Sequence, residues 1–457
     1  MTPSTHKTPS VAIIGGGLAG CECAQALARR GVSVTLFEMR PQTSTPAHTG
    51  EDLAELVCSN SFRSNAPDSA IGRLKAEMRL LGSLVMDVAS SVEVPAGKAL
   101  AVDRLLFAKA MTSRITGLPG VTLVRQEITS LDTTSGPLAG YDAVVLAAGP
   151  LASEAIAKSL QERTGEGHLY FYDAIAPVVD SASVDMDIAF WGGRYEPESP
   201  DYLNCPLSKE EYYAFYEALL AGKKAQTRDF EQEKHFEGCM PIEALAARGE
   251  RTLVFGPMKP VGFTDPRTGR RPYALLQLRA ENANKTMFNL VGCQTKLLYD
   301  EQARIFRMVP GLENVEFVRF GSMHRNTFVN APKVLAPDLS LVDAPGIFLA
   351  GQISGVEGYV ESAACGLWLG LSLAARFQGK TLPAPPVEST LGALLNHLRT
   401  PAKHFQPSNV QYGLMPELGE KAKKANRKLL YSQRAEAAFA GWLAGIAEEG
   451  GIPVPPA

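Results

Sequence analysis

The chain has 457 residues, of which 45% are hydrophobic and 20% charged, and a net charge of −3. That length suits two or three domains with large cores, and so balanced a charge excludes a generally basic surface: a nucleic-acid partner would have to be gripped by a local patch. Seven cysteines without a CxxC pair argue against a disulfide framework and for a reducing compartment.

The polar stretch Met1 to Ser10 lacks the apolar centre of a signal peptide, so a cytoplasmic protein is expected. Val11 to Ile14 predicts a buried strand that runs straight into Gly15, Gly16, Gly17, Leu18, Ala19 and Gly20, a GxGxxG turn. Leu18 to Leu27 predicts a helix, with Arg29 and Arg30 in its last turn and Gly31 as its C-terminal cap. A second strand, Val32 to Phe37, ends in Glu38, eighteen residues after Gly20. A dinucleotide-binding fold needs an acid there to accept hydrogen bonds from the adenosine ribose. Gly15 and Gly17 let the backbone turn beside a pyrophosphate, which the helix N-terminus stabilises.

Further on, Leu100 to Thr116 predicts a helix and Val121 to Gln126 a strand. Tyr141 to Leu146 is a buried strand leaving through Ala147, Ala148 and Gly149, and Gly346 to Leu349 is another, leaving through Gly351 and Gln352. The chain then passes Gly355 and Gly358 into a helix of small residues. Three strand-to-glycine exits, spread over more than three hundred residues, predict one sheet interrupted by an insertion. They favour FAD, whose two ends need different parts of the chain, over a simple NAD domain. The residues expected at the cofactor are Gly15, Gly16, Gly17, Leu18, Ala19, Gly20, Glu38, Arg40, Ala148, Gly149, Gly351, Gln352 and Gly358.

The expected fold class is therefore α/β: a Rossmann-like FAD-binding domain of two-dinucleotide type, residues 1–154 and 343–380, with an inserted α+β substrate domain, 155–342. Within the insertion, Ser208 to Gly222 predicts a polar helix. Residues 381–457 form a linker, Pro-rich from Leu382 to Pro386, and a C-terminal helical segment from Leu391 to about Glu449. No apolar run is long enough to span a bilayer. The seven histidines show no metal-ligand spacing, so no metal is expected.

Two cysteines stand in reactive surroundings. Cys239, in Phe236 to Glu243 (FEGCMPIE), precedes a helix predicted to begin at Pro241, and the positive end of a helix dipole lowers a thiol pKa. Cys58, in Glu55 to Ser64 (ELVCSNSFRS), lies among Ser, Asn and Arg. Cys21, Cys23, Cys205, Cys293 and Cys365 read as packing residues. Two basic runs follow, Arg267, Arg270 and Arg271 in a Gly/Pro loop and Lys421, Lys423, Lys424, Arg427 and Lys428 near the C-terminus.

These two cysteine runs, together with Tyr273 to Leu298 (YALLQLRAENANKTMFNLVGCQTKLL) and Gly351 to Gly366 (GQISGVEGYVESAACG), resemble the folate- and FAD-dependent tRNA uracil-5-methyltransferases, the TrmFO family. The resemblance runs from Val11 to beyond Gly413. Relatives of MnmG type, which modify the wobble uridine, carry a longer C-terminal helical region, so this chain is similar to the small form.

The resemblance implies methylation of C5 of the T-loop uridine at tRNA position 54, with methylenetetrahydrofolate as carbon donor and FAD reduced by NADPH or NADH. With no second strand-GxGxxG-helix unit, the nicotinamide is expected to dock transiently over the flavin. Uracil C5 is a poor nucleophile until a thiolate adds at C6, and the resemblance implies Cys239 in that role. Cys58 would assist, for instance by removing the C5 proton, with the division between the two thiols open. Tyr359 would lie near the isoalloxazine, positioning it or relaying a proton. The uridine would be flipped from its stack, and the basic runs would meet tRNA phosphates. Three alternatives stay open at this point: a flavin oxidoreductase acting on small molecules, a flavoprotein that binds tRNA without methyl transfer, and a wobble-uridine modifier of MnmG type.

Overall fold

Val11 to Ile14 become the middle of a six-stranded sheet, in a computed structural model that describes residues 8–45, 47–166, 169–225, 240–403, 405–419 and 426–448. Across the sheet the strands are Ser340–Leu341, Ala344–Leu349, Ala143–Leu146, Ser10–Ile14, Ser33–Glu38 and Val121–Arg125. All neighbours pair in parallel except the short Ser340–Leu341 edge. A parallel sheet is covered on both faces, which is why these strands are continuous apolar runs. Ile14 lies opposite Phe37 and Leu146, and Leu146 opposite Leu349. The strands thus end level, and the three glycine exits that the sequence separates so widely open along one edge, as the α/β reading requires.

The helix of small residues, Tyr359–Phe377, lies against Leu18–Ala28 so closely that side chains would not fit between them. A Cβ on Gly366 would stand 2.1 Å from the Ala19 carbonyl, and one on Gly370 2.8 Å from that of Cys23. Burying both helices against the sheet builds the larger core, which also takes in Ile156 and Leu160 of the Glu154–Thr164 helix and Phe328, Val334 and Leu341.

A second core, from Val179 to Val315, sits on an antiparallel sheet of Phe190–Trp191, Leu203–Leu207, Ala274–Ala280, Met287–Leu290, Val178–Asp180 and Phe317–Arg319. The ribbon of Leu169–Ala174 and Met323–Phe328 joins the two regions. The polar helix appears as Lys209–Ala221, started by a capping box in which the Ser208 hydroxyl accepts from Glu211 N–H and the Glu211 carboxylate accepts from Ser208 N–H.

Two predicted helices differ. Leu100 to Val102 belong to a strand, Ala99–Val102, paired with Ser61–Ser64 and Glu93–Val94, and the helix begins only at Arg104. Asp103 sets that start, its carboxylate accepting from Leu106 N–H as an N-cap. The C-terminal segment is likewise two helices, Thr390–His397 and Arg427–Glu448. Pro401, Pro407, Gly413 and Pro416 interrupt it, and the irregular chain between carries Asn409 to the site described next. Among the described residues no helix is long and apolar enough to cross a membrane, and no cluster of His, Cys, Asp and Glu could hold a metal ion.

Candidate active site

The level strand ends open into a cleft of about 410 Å³. Gly15, Gly17, Leu18, Ala19, Glu38, Arg40, Ala148, Gly149, Gly351, Gln352 and Gly358 line it, as do Cys58 and Tyr359. Gly16 and Gly20 do not. Cys239 lies outside the described residues, as do Lys421, Lys423 and Lys424. The helix expected to begin at Pro241 starts one residue later and spans only Ile242–Ala246, so little dipole is gathered at its N-terminus.

The glycines divide into two kinds. Gly15 adopts φ +106°, and a Cβ there would meet the Ala147 carbonyl oxygen at 2.6 Å; one on Gly20 would meet the Gly15 carbonyl oxygen at 2.0 Å. Both allow backbone to pack on backbone. Gly17 has an ordinary φ of −75° and nothing within 4 Å of its Cβ position. It faces the open cleft at the start of the Leu18–Ala28 helix, which no side chain caps. An uncapped helix start with free N–H groups is a ready anion site, so these residues fit the pyrophosphate of a dinucleotide.

At the end of the second strand, the Glu38 carboxylate accepts from Gly16 N–H at 2.9 Å, Arg40 N–H at 3.1 Å and Arg40 Nε at 2.8 Å. Burial alone would raise this carboxyl; the Arg40 hydrogen bond and charge outweigh it and hold the group below its ordinary value. An ionised carboxylate has about four acceptor positions, so capacity remains for a ribose hydroxyl. Arg40 is itself held by Glu55, Nη1 to Oε2 at 2.7 Å, and so serves Glu38 from behind.

The other end of the cleft is built around Cys58. The Tyr359 hydroxyl oxygen accepts from Cys58 N–H at 2.7 Å and Ser59 N–H at 3.2 Å. Burial, with Cys58 alongside, pushes the Tyr359 hydroxyl up from its ordinary value, so it stays protonated with its hydrogen free to donate. Arg279 donates to Asn60 Oδ1 at 2.9 Å and Ser59 Oγ at 2.8 Å. Arg104 donates to the Leu56 carbonyl and is clasped by Glu281 at 2.8 and 3.1 Å, and Arg319 donates to the Val57 carbonyl at 3.3 Å. Arg319 Nε and Nη2 are buried without a partner. Three guanidinium groups therefore surround a segment whose thiol opens to the cleft, with Glu281 between them.

Carboxyl groups stand opposite. Glu357 is buried at the cleft wall, its Oε2 accepting from Gln352 Nε2 at 2.6 Å. Burial, then the charges of Asp173, Glu361 and Cys58, push its carboxyl well above the usual range. Glu361 accepts from Arg63 and from Val410 N–H. The other five cysteines described, Cys21, Cys23, Cys205, Cys293 and Cys365, are buried, and burial raises every one of their thiols.

Sequence reading missed Arg104, Arg279, Glu281, Arg319 and Glu357. A signal was present for two of them: Arg279 and Glu281 are charges in or beside an apolar strand, Ala274–Ala280, where only a paired group is tolerated. Lys75 was missed too. It is fully buried on the Ala70–Leu80 helix, and its Nζ donates to the carbonyls of Arg63, a residue at φ +62°, and Ser64. Burial, with Arg63 and Arg79 nearby, brings its pKa down to about 7 from an ordinary 10.5. The unfolded chain therefore holds this proton over a range where the fold has released it, and stability should rise between pH 7 and 10.5, by at most about 1.4 kcal/mol per pH unit, and be indifferent to this group below pH 7. Melting temperatures of wild type and Lys75→Met across that range should diverge in slope; parallel curves would refute the assignment.

The GIDA family model, described as glucose inhibited division protein A, matches residues 10–381. A protein of Oleidesulfovibrio alaskensis named methylenetetrahydrofolate–tRNA-(uracil-5-)-methyltransferase TrmFO is 65% identical over 435 residues, which is 95% of this chain and 97% of that one. The protein of the same name from Geobacter sulfurreducens is 55% identical over 441 residues, 96% of this chain and 100% of its own length. Among solved structures, GidA of Aquifex aeolicus has a TM-score of 0.67 at 17% identity, over 97% of this chain and 77% of that one, a likeness of fold. Matched by the family model over most of its length and by these relatives over nearly all of it, the chain belongs to the GidA family and, within it, to the TrmFO proteins.

Proposed function

We infer that the protein methylates C5 of a uracil in tRNA, the T-loop uridine at position 54, with methylenetetrahydrofolate as carbon donor and FAD as redox cofactor. The observation that carries the reading is one continuous cleft with a dinucleotide cradle at Gly17 and Glu38 and, at its other end, an open thiol, Cys58, among three arginines. The relatives' names supply the donor and the acceptor.

Converting a methylene to a methyl group takes two electrons and a proton, and bound FAD, reduced by NADPH or NADH, is the source of the electrons. The chain's own residues do the rest. The N–H groups at the start of the Leu18–Ala28 helix would hold the pyrophosphate and Glu38 the ribose. Cys239, by resemblance, adds to uracil C6 and makes C5 nucleophilic. Once C5 carries the new carbon its proton must leave, and Cys58, which lines the cleft with Tyr359 and Glu357, would take it. Arg279, through Ser59 and Asn60, and Tyr359, through two backbone N–H groups, hold Cys58 in place. The free thiols described support a reducing, cytoplasmic setting.

The test is to incubate the FAD-loaded protein with an unmodified tRNA transcript, methylenetetrahydrofolate labelled at the methylene carbon, and NADPH. Labelled 5-methyluridine at the T-loop position is expected. No label, from protein whose flavin NADPH reduces, would overturn the reading.

A further inference from the structure

A second pocket, of about 530 Å³, lies away from the cleft, and the cations Arg251, Lys259 and Arg271 line it together with Phe255 and Tyr273. Among the described residues that line it none is a carboxylate, in a chain whose net charge is −3. Phe255 is 66% exposed, an unusual setting for a large apolar ring, and the Arg251 guanidinium lies 4.9 Å from its centroid. Tyr195, 71% exposed and held at φ +65°, lies against Gly262, next in sequence to the pocket-lining Val261. Its N–H donates to the Gly262 carbonyl at 2.9 Å, and a Cβ on Gly262 would stand 2.7 Å from Arg194 and 2.9 Å from the Tyr195 ring. That glycine lets the Arg194–Tyr195 corner sit against the Lys259–Gly262 loop. Arginines interleaved with exposed rings suit a ligand that carries both phosphates and flat bases.

Position supplies the second argument. Tyr273 precedes the strand Ala274–Ala280, and Arg279 near its other end lines the cleft. Six residues of strand at about 3.4 Å each separate the two by about 20 Å. A folded RNA with one base in the cleft spans that distance.

We propose that the pocket is a docking site for the tRNA at a distance from the reacting uridine, with Arg251, Lys259 and Arg271 on backbone phosphates and Phe255 stacked on an unpaired base. The proposal rests on the tRNA reading above. It enlarges the Arg267, Arg270 and Arg271 run: Arg267 is tied to Asp265 at 3.0 Å, while Arg271 turns into the pocket.

The experiment measures binding of unmodified tRNA to FAD-loaded wild type, the Arg251→Ala/Lys259→Ala double variant and Phe255→Ala, over a range of salt concentrations. The double variant should bind at least tenfold more weakly and lower the slope of log K against log salt by about two. Phe255→Ala should lose about tenfold with the slope unchanged. Flavin content and the rate of flavin reduction by NADPH should match wild type in both, which shows that the variants fold. Wild-type affinity and slope in the variants would overturn the pocket while leaving the methyltransferase reading intact. Failure of wild type itself to bind tRNA would overturn both.

Discussion

The Gly17→Val protein should purify folded and colourless. Gly17 has a φ that valine adopts without strain, and its Cβ position is empty to 4 Å, so the free protein has no clash to relieve. The added methyl groups instead enter the cleft beside the uncapped helix start, where the pyrophosphate would sit. Overpacking of about 3 kcal/mol corresponds to a loss of FAD affinity of about a hundredfold or more. Visible flavin absorbance after purification and the melting temperature of FAD-free protein are the two measurements. The melting temperature should equal that of FAD-free wild type; a yellow, stoichiometrically loaded variant would show that Gly17 does not face the cofactor. Valine at Gly20 should behave differently, destabilising the fold itself, because a side chain there meets backbone at 2.0 Å.

Cys58→Ala should keep FAD and lose methyl transfer. The Cys58 thiol makes one weak contact, 3.9 Å to the Ala174 carbonyl, so its removal should cost little stability, within about 1 kcal/mol. Activity on tRNA should fall by about a thousandfold or more, the scale on which a missing proton-transfer group or nucleophile is felt. Cys365→Ala, which alters a buried thiol behind the same sheet, is the control, and its effect should be on melting temperature. Alkylation gives an independent readout: among the six described cysteines, iodoacetamide should modify Cys58 first and spare the buried five. Normal turnover by Cys58→Ala would remove it from the mechanism.

Much of the dinucleotide half was legible because its logic is local. A strand, its glycine turn, its helix and the acid on the next strand fall within Val11 to Glu38, and each is specified by neighbours in the chain. The other two exits were legible for the same reason, since an apolar run ending in small residues is a local pattern wherever it occurs. Boundaries were less so. Leu100 to Val102 continue an apolar stretch that helical periodicity absorbs, and only the partner strand Ser61–Ser64, far back in the chain, claims them for a sheet.

The surroundings of Cys58 were not legible beyond its own run. Arg104, Arg279 and Arg319 come from one helix and two strands; Arg279 stands out as a charge within an apolar strand, but no spacing along the chain brings the three together. Glu357 stood in a quoted motif, yet the rise of its carboxyl comes from burial beside Asp173, Glu361 and Cys58. Electrostatic environment is a property of distances through space, and no spacing along the chain reports it.

By itself the sequence determined the α/β class, the cradle for a dinucleotide, the two conspicuous cysteine runs and the family they resemble, because backbone conformation and apolar periodicity are written in adjacent residues. Tertiary structure alone decided that three distant exits form one edge, that Gly17 faces open space while Gly20 faces backbone, and that arginines from three elements converge on one thiol. It also decided that an exposed basic and aromatic pocket stands about 20 Å from the cleft along a single strand. Those are facts of register and packing, fixed only when the whole chain closes on its two cores.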